Sequence, residues 1–148
     1  MFELHPRLEE DTLIVGDFPL CRLLMMNDAS YPWFILVPRL NGTREIFELE
    51  HSDQQKLLKE SSHLSEVLNQ IFQADKLNIA ALGNIVPQLH IHHIVRYKTD
   101  QSWPNPVWGM FPAQPYTERA RQETCGGLID HLVDFIPDNS CIVAPRVC

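Results

Sequence analysis

The sequence predicts an α+β fold in which an antiparallel sheet carries one long helix. Three observations lead there. The first third alternates short apolar runs with turn residues, as a meander of antiparallel strands does. One stretch beginning near Ser52 has helical periodicity over many turns. Strand character then returns without a regular strand–helix alternation, which argues against a parallel sheet.

Residues 1–12 are polar, contain Pro6 and read as an irregular or short helical lead-in. Residues 12–17 and 21–26 read as strands, and Asn27-Asp28-Ala29-Ser30 has turn composition. Residues 33–37, Trp-Phe-Ile-Leu-Val, form the next strand, closed by Pro38. Ser52 and Gln55 have the spacing of a capping box that opens the helix. Leu57, Leu58, Leu64, Val67, Leu68 and Ile71 then recur on one face, while Lys59, Glu60 and Glu66 can stay in water. Residues 76–82 return to strand, broken by Gly83-Asn84, and residues 89–97 form another. Trp103-Pro104-Asn105-Pro106-Val107-Trp108 reads as an ordered loop, because two indoles are costly to leave in water. Thr117 can cap a final helix reaching about Phe135, with Gly126 and Gly127 inside it.

A chain of 148 residues is the usual size for one core. Its formal charge of -7 argues against a general nucleic-acid partner, which needs a basic face. A nucleotide substrate stays open, since one pocket can be positive on an acidic protein. Cys21, Cys125, Cys141 and Cys148 form no CxxC pair and read as free thiols rather than a zinc ribbon. No apolar run approaches the roughly 20 residues of a membrane span, and the N-terminus lacks the features of a secretory signal. No membrane partner and a cytoplasmic location are the expectations.

The chemistry points to residues 84–96, where three of the seven histidines fall within four positions. Strand alternation places Gln88, His90, His92, Ile94 and Arg96 on one face, and Leu89, Ile91, His93, Val95 and Tyr97 on the other. The second set is mostly apolar and should face the core. The first presents a polar row. A neutral imidazole nitrogen can attack phosphorus, a protonated ring can donate to phosphate oxygens, and a neutral ring can bind a metal. A third ligand for such a metal could come only from an approach of His51 or Asp53 in space. His90 in the middle suits attack, with Gln88 and His92 contacting the phosphate. A backbone carbonyl on the same strand could fix its tautomer.

Gln88-Leu89-His90-Ile91-His92-His93-Ile94 resembles the histidine triad motif, His-φ-His-φ-His-φ-φ, with glutamine in the first place. With Gly83-Asn84, Pro87, Val95-Arg96 and the Trp103–Trp108 segment, it resembles a bacterial subgroup described as similar to diadenosine tetraphosphate hydrolases. The resemblance covers roughly residues 1–108 and leaves 109–148 as a C-terminal helical extension packed on the same domain. It implies a five-stranded antiparallel sheet, usually in a homodimer. It implies attack on the α-phosphate of a nucleotide derivative and hydrolysis of a nucleotidyl-histidine, with no metal needed for the covalent step. A nucleotidyl transferase of the same chemistry, or a nucleotide-binding dimer with little turnover, is the alternative. His90 takes the nucleophile's place, His92 that of the third histidine and Gln88 that of the first. Asn84 and Asn27 fall where relatives contact phosphates and nucleotide.

Three departures stand out. Gln88 cannot be a cation, though its carbonyl can still orient His90. Trp33 replaces a further histidine, which removes a polar neighbour. His93 sits where an apolar residue is usual and reads as a hydrogen-bonded core or interface residue. Arg96 either binds phosphate or pairs with an acid at a strand end. Trp103 and Trp108 either wall a base pocket or pack. Asn27 is either a nucleotide contact or a turn residue.

Overall fold

The computed structural model describes residues 1–141; the expectation for Cys148 lies outside them. The chain runs through helix α1 (Pro6–Asp11), strands β1 (Thr12–Asp17), β2 (Cys21–Met26) and β3 (Trp33–Pro38), and a 3-10 turn (Ile46–Glu48). Helix α2 (His51–Phe72), strands β4 (Lys76–Ala80) and β5 (Ile91–Arg96), helix α3 (Glu118–Ile129), the short strand β6 (Ile136–Pro137) and a last 3-10 turn follow. The sheet is antiparallel throughout, in the order β4-β5-β3-β2-β1-β6.

Alternation along the central strands divides the core in two. Leu23, Met25, Phe34, Leu36, Ile91 and Val95 meet Leu57, Leu64 and Leu68 of α2 and Leu128 of α3. Leu24, Ile35, Val37 and Ile94 face the other way and are covered by Leu8 of α1, Tyr31, Val107 and Trp108. Both sheet faces are therefore buried, and the face carrying His90 and His92 is roofed by α1 and the Trp-Pro loop.

The structure departs from the sequence-based expectations in several places. The sheet has six strands rather than five, because β6 adds to β1 opposite Gly16 and Asp17. Glycine permits that approach, since a Cβ at position 16 would run into the Ile136 carbonyl oxygen and the Phe135 ring. Helix α2 starts at His51 behind Glu50, whose side chain makes no capping bond, so Ser52 is not the cap. Glu60 is buried rather than solvated; its two oxygens accept the N–H groups of Leu20 at 2.7 Å and Cys21 at 2.9 Å. Those donors open β2, so the carboxylate binds the helix to the sheet. Thr117 does cap α3, accepting from Ala120 N–H, but the helix ends at Ile129, well short of Phe135. The Cys141 thiol donates to the Ile14 carbonyl at 3.0 Å and lies 3.3 Å from the Cys125 thiol, beneath α3.

Candidate active site

His90 and His92 stand side by side, ring centroids 4.9 Å apart in an edge-to-face arrangement, both largely buried. His90 lies immediately before β5 rather than within it, and His92 is its second residue. Together with Asn84, Ile85, Val86, Met26, Trp108 and, from α1, Arg7, Leu8 and Asp11, they line a cleft of ≈ 290 Å³. A larger hollow of ≈ 520 Å³ between α2 and β4 includes His51 but no pair of imidazoles. Chemistry rather than size marks the candidate site.

Each imidazole is held in one tautomer by a group with a single possible role. The Gln88 carbonyl can only accept, and His90 Nδ1 lies 2.7 Å from it. Nδ1 therefore carries the proton and Nε2 keeps its lone pair. The Trp33 indole can only donate, and its Nε1 lies 3.0 Å from His92 Nδ1. There Nδ1 is bare, and in the neutral ring the proton sits on Nε2. Burial lowers the His90 pKa, opposed by the Gln88 bond and aided by nearby His5. Burial, with His90 and His93 close by, takes His92 down to about 3. Both rings are neutral at pH 7. The arrangement thus sets one nucleophilic nitrogen beside one N–H donor.

Trp33 does not remove a polar neighbour, as the sequence reading expected, but supplies one, because β3 pairs directly with β5 and brings the indole beside the imidazole. Trp33, Trp108 and His92 form a cluster with centroid separations of 5.1–5.7 Å.

The other expected contacts are distributed differently. The Gln88 side chain is turned to the N-terminal segment: Oε1 accepts the His5 N–H at 2.9 Å and Nε2 donates to the Glu3 carbonyl at 2.9 Å. It does not line the cleft, so only its carbonyl serves His90. Arg96 is buried away from the cleft and bound to Asp100, Asn78 and the Asn105 carbonyl. Its reading as a phosphate ligand is corrected in favour of the pairing with an acid at a strand end: four hydrogen bonds hold the guanidinium away from the cleft. Asn27 lines an adjoining hollow, but its Oδ1 accepts the Tyr116 N–H at 2.9 Å, which ties the segment before α3 to the turn after β2. Asn84 does line the cleft. His93 points to the opposite face, fully buried, its Nδ1 donating to the Ile91 carbonyl at 3.1 Å and its Nε2 accepting from Ser61 Oγ at 2.7 Å.

Arg7 and Asp11 were missed. They stand 83 and 79 positions from His90 in a polar lead-in with no motif. Arg7 Nε is held by Asp11 at 2.6 Å, and Arg7 is the one cation lining the cleft among the described residues. No group of three His, Cys, Asp or Glu side chains poised for a metal occurs among the described residues, and His51 and Asp53 begin α2 rather than approaching the imidazole pair. Nor is any helix among them long and apolar enough to cross a membrane.

Known proteins share this fold. The family model of the HIT domain matches residues 7–99. A histidine triad protein from Marinobacter aquaeolei is 55% identical, with a TM-score of 0.87, over 89% of this chain and 96% of that one. One from Bradyrhizobium japonicum is 45% identical, with a TM-score of 0.86, over 88% and 97%. A third, from Sinorhizobium meliloti, is 41% identical, with a TM-score of 0.87, over 89% and 98%. A search of the curated proteins finds no match.

Proposed function

The chain belongs to the HIT domain family, whose members are generally nucleotide hydrolases or transferases, and from that premise we propose that it hydrolyses nucleotide derivatives through a nucleotidyl-histidine on His90. The observation that carries the proposal is the pair of opposite tautomers, a bare Nε2 on His90 beside an N–H donor on His92.

In the first step His90 Nε2 forms a bond to the α-phosphorus while the bond to the leaving group breaks and takes its electron pair with it. The proton stays on His90 Nδ1 and is donated to the Gln88 carbonyl, whose oxygen offsets the positive charge that builds on the ring. His92 Nε2–H donates to an oxygen of the reacting group. In the second step water attacks phosphorus, the P–N bond breaks, its electron pair returns to Nε2, and a proton leaves to solvent. A phosphate acceptor in place of water makes the same centre a transferase. Neither step routes through a metal. Dinucleoside polyphosphates, as the resemblance implies, and other adenosine phosphoanhydrides, esters and phosphoramidates are the substrates to try. Asn84, from its place in the cleft, is assigned to the substrate.

The expected homodimer is assigned to the outer edge of β4, which among the described residues pairs with β5 on one side only. Leu58 and Ile79 are exposed beside that edge and line one hollow. Sedimentation of wild type and Ile79→Lys reads it: a monomeric wild type removes the assignment.

The decisive test of the reaction is intact mass after quenching protein mixed with adenosine polyphosphates and phosphoramidates. An added nucleotidyl mass on wild type, absent from His90→Ala, is the expected result. Tight nucleotide binding with neither adduct nor product on any substrate would instead favour a nucleotide-binding protein with little turnover, a reading the outward-turned Gln88 side chain supports.

A further inference from the structure

Indole carries one polar hydrogen and no acceptor, so Trp33 Nε1 can only donate. It lies 3.0 Å from His92 Nδ1 within a buried aromatic cluster. While that bond is kept, Nδ1 carries no proton and the ring proton sits on Nε2. An imidazolium would need a second proton on Nδ1, which would oppose two N–H groups across 3.0 Å. Burial also disfavours the charged ring, as does the neighbouring His90 imidazole.

A ring locked this way donates a hydrogen bond but cannot give its proton away. Losing it would leave a buried imidazolate, a charge that burial strongly disfavours. His90 offers no substitute acid, because its one proton is held by the Gln88 carbonyl at 2.7 Å. The carboxylate lining the cleft, Asp11, is tied to Arg7 at 2.6 Å.

We propose that this centre selects phosphoanhydrides, whose leaving group departs as a stable anion, and discriminates against phosphoramidates, whose amine must collect a proton as it leaves. The proposal rests on the reading of His90 as nucleophile and narrows its substrate class. With an anhydride, the P–N bond to His90 forms, the P–O bond to the bridging oxygen breaks, and the electron pair departs on a phosphate, polyphosphate or nucleotide. His92 Nε2–H donates to that oxygen and keeps its proton, so no proton transfer is required. With a phosphoramidate the same displacement expels a nitrogen anion unless an acid protonates it, and among the described residues lining this cleft none is free to do so. Trp33 is then a positioning residue that sets the leaving-group class through His92.

A leaving-group series on the wild-type protein tests this. Adenosine 5′-phosphoryl compounds carrying pyrophosphate, a second nucleotide, nitrophenol, phenol and amine leaving groups are compared at one pH, by product release and by the mass adduct on His90. The kcat/KM should fall steeply as leaving-group pKa rises, with the anhydrides ahead of the phosphoramidate by about a hundredfold or more, the usual contribution of a general acid. Trp33→Phe keeps an aromatic ring and frees Nδ1, so the dependence should flatten through kcat with KM little changed. A wild type that cleaves the phosphoramidate within less than about a hundredfold of the anhydrides, below the low end of what a general acid contributes, overturns the proposal and leaves the His90 reading intact. No adduct and no product with any member of the series overturns both. If Trp33→Phe fails to fold, the wild-type series decides alone.

Discussion

Arg96 grips both carboxylate oxygens of Asp100, with Nε at 2.8 Å from one and Nη2 at 3.1 Å from the other, and both side chains are almost wholly buried. Two further N–H donors reach Asn78 Oδ1 and the Asn105 carbonyl, and its guanidinium lies near the Tyr31 and Trp103 rings. Asp100 in turn accepts N–H groups from Tyr97, Ser102 and Trp103. Burial pushes its carboxyl up, but the Arg96 and backbone bonds outweigh that and hold it below the usual range. The end of β5 is thereby joined to the loop that roofs the candidate site.

Truncating Arg96 should act on stability. Arg96→Ala leaves a buried, unpaired carboxylate and should lower unfolding free energy by about 3–5 kcal/mol in urea titrations. Arg96→Lys keeps the charge but loses the bidentate fork and should recover less than half of that.

Gln88 should tolerate truncation better than its place in the motif implies. Gln88→Ala retains the backbone carbonyl that orients His90, so the nucleotidyl adduct should still form. What should change is the lead-in: hydrogen exchange at residues 3–5 should accelerate as the two hydrogen bonds of the side-chain amide disappear. Loss of the adduct in this variant would show that the amide itself acts on substrate.

Arg7 is expected to bind the phosphate. Its Nε is held by Asp11, which leaves the two terminal nitrogens for an anion. Arg7→Gln should weaken adenosine monophosphate binding by about tenfold in calorimetry, the scale of one charge-assisted hydrogen bond. Adenosine binding should hardly change. Equal losses for both ligands would point to shape rather than charge.

The acid limb of adduct formation should lie below the ordinary histidine value. The nucleophile is the neutral ring, and burial with nearby His5 lowers the His90 pKa, so the reactive form persists to more acidic pH than a solvated histidine allows. Single-turnover rates between pH 5 and pH 8 read the limb. Removing His5 as His5→Gln should move it upward.

Acid should weaken the fold through His93. Its burial takes the ring from 6.5 down to about 4, so between those values the unfolded chain binds the proton and the folded chain does not. The contribution is complete above pH 6.5 and is lost as pH falls toward 4, by about 3 kcal/mol from this group. Urea unfolding at pH 7.5, 5.5 and 4 should show the slope, and His93→Met should reduce it.

Much of the frame was legible because local rules govern it. Strands β1, β2 and β3 and the cap of α3 fall where alternation, Pro38 and Thr117 put them. The start of α2 was misplaced, since Ser52 and Gln55 fit a spacing rule that the chain does not use. Glu60 was misread because a carboxylate on a helix is ordinarily solvated, and only the packing of α2 over the start of β2 supplies the two N–H donors that justify its burial. Strand β6 escaped notice because two residues carry no periodicity.

By itself the sequence determined the fold class, the placement of His90 and His92 on one side of a strand with His93 on the other, and the carbonyl two residues back that orients His90. The first follows from the periodicity of separate segments, the second from alternation along one short stretch of backbone, and the third from the resemblance of that stretch to the triad motif. The tertiary structure decided which side chains meet across the chain: Trp33 with His92, Arg96 with Asn78, Gln88 with His5, and α1 with the cleft. Those pairs join strands or segments distant in the sequence, and a hydrogen bond of about 3 Å is set by sheet register and layer packing, which no local pattern of residues encodes.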